Sequence, residues 1–169
     1  MGAGTTVLRV VVGAVFVGHG LQKLTGYSGG PGLEGTTKMM EKMEMHPAPL
    51  QARAVALAET AGGAALALGF ATPFAAATLI ATMVTAVRKV HFKNGPWNSK
   101  GGYEFNAVLT TAILAVVADG PGVLSADAIV GKQRAGLGNA LFALVAGIAG
   151  SFASTELARA MKPLADSTD

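Results

Sequence analysis

His19 and Lys23 stand one helical turn apart in the segment GHGLQKL, Gly18 to Leu24, with Gln22 beside them. Both side chains therefore project from one face at the end of a helix. Glu59 sits inside the apolar run VALAETAGGAALAL, where a carboxylate costs at least about 2.5 kcal/mol on insertion scales unless it faces a partner or water. Glu59 needs a cation, and Lys23, Arg88, His19 and His91 supply the choices, with Glu104 drawing on the same set. Such a group, completed by Asn106, makes a polar pocket whose convergent donors and acceptors suit a quinone headgroup or a small anion. In that chemistry His19 or His91 relays protons, Lys23 or Arg88 stabilises charge developing on an oxygen, and Gln22 and Asn106 bind the ring. The competing reading is a structural ion-pair network that ties helices together.

The elements that must position these residues are apolar blocks separated by short polar punctuation. They run from about Thr5 to Leu21, Ala52 to Phe70, Pro73 to Val87, Tyr103 to Ala118 and Leu137 to Phe152. Each is slightly shorter than the ~20 residues needed to cross hydrocarbon, but its flanks can extend it. Arg9, one turn into the first block, is expected to snorkel to the interface. Between the first two blocks lies a long loop, residues 25–50, whose middle forms a short amphipathic helix that Pro47 and Pro49 bring to a stop. The second and third blocks are joined only by Ala71 and Thr72, so they form an antiparallel hairpin. Small residues such as Gly62, Gly63, Gly147 and Gly150 permit the close backbone approach by which helices associate in lipid.

The expected fold is an all-α membrane protein, a four-helix transmembrane bundle core with a fifth, C-terminal transmembrane helix. Residues 1–127 form the core and 128–169 a C-terminal extension that carries the fifth helix. Composition agrees, because charged residues are 14% and hydrophobic ones 51% of the 169 residues, against ~25% charged in soluble domains. In the five-span arrangement Arg9, Lys132 and Arg134 fall on one side, and the other ten of the 13 Lys and Arg on the opposite side. The charge rule puts that second side in the cytoplasm, giving a multi-pass membrane protein.

Cysteine is absent, which excludes a disulfide framework, a CxxC redox centre and thiolate metal sites within the chain. Redox work would have to use a bound carrier, for which a quinone is one candidate. No metal site is expected. Haem between His19 and His91 is sterically conceivable, and copper among Met39, Met40, Met43, Met45 and His46 is chemically so, but structural histidines and packing methionines are commoner. The expected partners are membrane lipid and a protein partner or second copy of the chain, with no nucleic acid.

Taken in order, GHGLQKL, GGPGLEG, AETAGGAALALGFATPFAA, VHFKNG, GGYEFN and DGPGVLSAD resemble the DoxX family of small bacterial membrane proteins across roughly residues 5–127. The resemblance implies a four-helix membrane core. It also implies association with quinone-linked thiosulfate oxidation or with membrane redox and oxidative-stress complexes. His19, Lys23, Glu59, His91 and Glu104 match recurrent polar positions of that family. An anchoring or assembly subunit for a soluble partner is the alternative, with the buried charges then purely structural.

Overall fold

The computed structural model describes residues 3–162, which are helical or in turns without a strand. The first apolar block becomes α1, Ala3–Thr25. After a single 3₁₀ turn, Tyr27–Gly29, the expected amphipathic segment forms α2, Gly32–Lys42. Next comes α3, Ala48–Leu68. α2 ends before both prolines, and Pro49 occupies the first turn of α3, where a missing N–H breaks no helical bond, with Pro47 preceding it as the cap.

At its other end α3 closes on Gly69, whose φ of +63° is the left-handed conformation that a side chain resists. The Phe70 N–H then donates back to the Ala65 carbonyl at 2.8 Å. The chain reverses at once into α4, Thr72–Ala86. The sequence reading ends this helix at Val87, yet it runs on through a π turn, Val87–His91, and a 3₁₀ turn to Asn94. α5 spans Glu104–Asp119, α6 is a short turn of helix at Ala126–Ile129, and α7 spans Leu137–Ala160. The last helix thus extends two turns past Phe152.

Three helical stretches, Ala3–Thr25, Thr72–Asn94 and Leu137–Ala160, are long and apolar enough to cross a membrane. The 21-residue α3 carries Arg53 and Glu59, and α5 has only 16 residues. Large apolar side chains such as Val7, Val11, Leu57, Phe74, Val108 and Val145 point outward, an arrangement that lipid solvates and water does not.

The most extensive packing is α1 on α3 and α4 on α7, with α4 also meeting α3 and α5. Phe16, Leu66, Leu79, Ile80, Ile113 and Val116 form the core between them. Ala140 and Ala143 of α7 belong to that same core, so the fifth long helix is built into the bundle. Glycine sets the α1–α3 approach. A Cβ on Gly13 would lie 2.6 Å from the Gly63 carbonyl oxygen, and one on Gly20 would collide with Thr60. Gly13→Val should therefore wedge the pair apart and cost about 3 kcal/mol, read as a lower unfolding midpoint in detergent.

Arg9 does not snorkel. It is 2% exposed and donates from Nη1 to the Ala67 carbonyl at 2.6 Å and from Nη2 to the Leu124 carbonyl at 2.8 Å. In this way it satisfies a carbonyl at the end of α3 that the helix itself leaves open. The segment after α5 folds over that end. Asp127, 5% exposed, accepts from the Ala71 and Thr72 N–H groups at 2.8 and 3.0 Å and from the Thr72 hydroxyl at 2.8 Å. It caps the start of α4, where a carboxylate also meets the positive end of the helix dipole. One pole of the bundle is thus closed by internal polar bonds.

Candidate functional site

The opposite pole holds a cavity of about 670 Å³, within the range of small-molecule sites. Six of the helices contribute to its wall, and the wall is mostly apolar, with Phe16, Val55, Met83, Phe105 and Leu109 among its residues. Polar groups enter at the end where α1 finishes, α3 begins and α4 finishes.

Lys23 and Glu59 form the centre of this polar end. Glu59 is 3% exposed and accepts from Lys23 Nζ at 2.5 Å. α1 brings Lys23 there because the glycines let its last turns lie against α3. The pair satisfies the carboxylate's need for a cation. His19, one turn earlier, also lines the cavity, and its ring meets Phe105 of α5 edge-on with centroids 6.0 Å apart.

His91 reaches the cavity wall from the π turn at the end of α4. Its Nδ1 lies 2.8 Å from the Gly101 carbonyl oxygen. A carbonyl only accepts, so Nδ1 carries the proton and donates it to that bond, which leaves Nε2 as the ring nitrogen able to take up a proton in the neutral side chain. Asn106 is 7% exposed and also lines the cavity. Its Nδ2 donates to the Met83 sulfur at 3.4 Å, and among the described residues its carboxamide oxygen accepts no hydrogen bond. The polar end therefore offers a charged donor at Lys23, an acceptor at Asn106 and two imidazoles.

α2 closes the cavity from above. Met39, Met40, Met43 and Met45 all line it, and Met40 and Met45 pack with Ala48, Ala52 and Ala158. His46 is not among the lining residues. Lys89 at the end of α4 donates to the Met43 carbonyl at 3.2 Å, pinning the C-terminus of α2 where a cation also meets the helix dipole. On the outer face Lys38 donates to Glu34 at 2.7 Å. That bond holds the Glu34 carboxyl below its ordinary range, so what it contributes is present above the ordinary carboxylate pKa and fades as pH falls through the lowered one.

Three of the expected site residues lie elsewhere. Arg88 turns onto α7, where it donates to Ser151 Oγ at 3.0 Å and stacks 3.6 Å from the centre of the Phe152 ring. The π turn, which winds more residues into one turn than an α-helix does, separates it from His91. Glu104 opens α5 in its first turn, does not line the cavity, and makes no ion pair with the described residues. Residues two apart on a helix face about 200° apart, so with Asn106 turned inward Glu104 faces away. Gln22 lies against the turn after α1, where a Cβ on Gly30 would fall 2.5 Å from its own Cβ. Gln51 lines the cavity and escaped the sequence reading. Its signal was there, since residues 51, 55 and 59 repeat at the i, i+4 spacing that shares one helix face.

The model of the DoxX family matches residues 4–92, just over half of the chain. A protein of Bacillus subtilis (strain 168) named "Putative oxidoreductase CatD" is 29% identical over 131 residues, 78% of this chain and 90% of that protein. No solved structure matches the chain.

Proposed function

The chain belongs to the DoxX family, and from that premise we propose that it is a redox-associated protein of the bacterial cytoplasmic membrane that binds a quinone between its helices. The observation that carries this reading is the cavity itself: an apolar volume of about 670 Å³ whose polar groups, Lys23, Glu59, His19, His91 and Asn106, gather at one end. A quinone is an apolar ring with carbonyl oxygens at two edges, and it needs that division of surface. The name of the Bacillus subtilis relative, "Putative oxidoreductase CatD", agrees.

In this reading Lys23, held in place by Glu59, donates a hydrogen bond to one ring oxygen and favours negative charge there. The Asn106 carboxamide oxygen accepts from the hydroxyl of the reduced form. Converting a quinone to a quinol takes up two electrons and two protons. His19 and Lys23 are placed to deliver the protons, and His91 Nε2 to receive one when the reaction runs backward. The electrons come from a redox partner with its own carrier, because this chain has no thiols to cycle. All five long helices span the bilayer in this account, with the lysine-rich pole at the cytoplasmic face.

The direct Lys23–Glu59 bond at 2.5 Å favours a second reading, in which the pair joins α1 to α3 and the protein anchors or assembles a soluble partner. Protein purified in mild detergent separates the two. Extraction and chromatography should find quinone bound to the wild type, and Glu59→Gln should retain at most a tenth of it while remaining monodisperse. Equal quinone in both proteins, or none in either, favours the anchor.

A further inference from the structure

The cavity is much longer than a ring needs. Along α4 its lining residues run from Ala77 to Val90, roughly 20 Å at 1.5 Å per residue. His19, His91 and Lys23 enter toward the end nearest Val90, Asn106 reaches in beside Met83, and Thr82 and Thr78 line the wall farther along. A groove of small residues runs alongside these groups, walled by Ala54 and Ala58 of α3, which lie between the start of that helix and Glu59, by Ala77 and Ala81 of α4, and by Ala146 and Gly150 of α7. α3 and α7 each pack on α4 without packing extensively on one another, so α4 forms the floor and the other two helices the sides. Ala54 and Thr78 at the edges are exposed, so the groove opens sideways, toward the bilayer core in the spanning arrangement.

Resting on the quinone reading, we infer that this groove is the seat of a long isoprenoid tail, so the ligand is a lipid-tailed quinone entering from the bilayer between α3 and α7. Three observations converge on it. The groove is continuous with the polar end in one cavity, so a single molecule spans both. The cavity-facing Asn106, 7% exposed with its carboxamide oxygen unbonded, offers an acceptor to the hydroxyl that the reduced head carries. The charges there balance, Lys23 against Glu59, while Arg88 is engaged by Ser151 and Phe152. A neutral ring matches that balance, and a phospholipid phosphate does not. Alanine and glycine walls leave the width that methyl branches along an isoprenoid chain require.

Two probes with one headgroup test this, menadione without a tail and menaquinone-4 with four isoprene units. Binding to the full-length protein in detergent is followed by native mass spectrometry across a titration. Ala81→Leu on the floor and Gly150→Leu on a side wall fill the groove from different helices, and the space at Gly150 admits a Cβ, with Ala81 Cβ 3.4 Å away. Each variant should weaken menaquinone-4 at least tenfold, leave menadione within twofold of wild type, and unfold near the wild-type temperature. The assignment of the groove is overturned if menaquinone-4 binds both variants as it binds wild type, if both probes weaken together, or if the wild type keeps a phospholipid that menaquinone-4 fails to displace. Wild type that binds neither probe overturns the quinone reading itself, and the groove assignment with it.

Discussion

Lys23→Met should destabilise the protein by about 3–5 kcal/mol, the cost of leaving one member of a buried ion pair without its partner. The carboxylate left behind is 3% exposed. It must take up a proton or admit water, and either response loosens α1 from α3 at the point where Gly20 lets them touch. Adding Glu59→Leu to the same protein should recover most of that loss. A buried pair exchanged for apolar side chains of similar volume is commonly neutral or stabilising, and the two introduced side chains would extend the apolar wall that Phe16 and Val55 already form. Thermal or denaturant unfolding in one detergent compares the three proteins, and the double variant should lie within about 1 kcal/mol of wild type. A double variant as unstable as Lys23→Met alone would mean that the polar pair itself holds the bundle together.

Arg9→Leu should cost about 3 kcal/mol by a different route. It leaves the Ala67 and Leu124 carbonyls without their donor, each such buried group being worth about 1–3 kcal/mol, and takes the positive charge from the neighbourhood of Asp127. Asp127 keeps its three bonds to Ala71 and Thr72, so the start of α4 should survive. The loop that carries Leu124 should loosen first, seen as faster amide exchange through residues 122–131. Arg9 and Lys23 are 14 residues apart on α1, roughly 21 Å, and the cavity lies at the Lys23 end. Bound quinone in Arg9→Leu should therefore match wild type, which distinguishes a substitution that weakens the fold from one that removes the site.

What could be read from the residues follows the physics of each signal. Apolar runs and proline placement gave the five long helices and the α3–α4 hairpin, because those depend on local chemistry. Lys23 stands in the sequence as one of four candidate cations for Glu59, alongside Arg88, His19 and His91, and the choice among them depends on how α1 lies on α3. Arg88 and Glu104 went astray because their facing depends on a π turn and on the starting register of α5. A one-residue change in either rotates a side chain by about 100°. Arg9 looks in sequence like an interfacial snorkel because the carbonyls it satisfies, at Ala67 and Leu124, are brought beside it only by the closure of the chain around α1. The cavity had no sequence signature of its own. It arises where α3 and α7 part over α4, and the alanines and glycines there look the same in sequence as those that pack tightly at Gly63 and Gly147.

The proposed function stands on the Lys23–Glu59 pole receiving a ligand rather than only joining two helices. Quinone content of purified Lys23→Met/Glu59→Leu separates these roles, because that protein should keep its fold without the polar pair. A stable, monodisperse double variant should carry at most a tenth of the wild-type quinone. Quinone at the wild-type level in that protein would show that the polar pair takes no part in binding it.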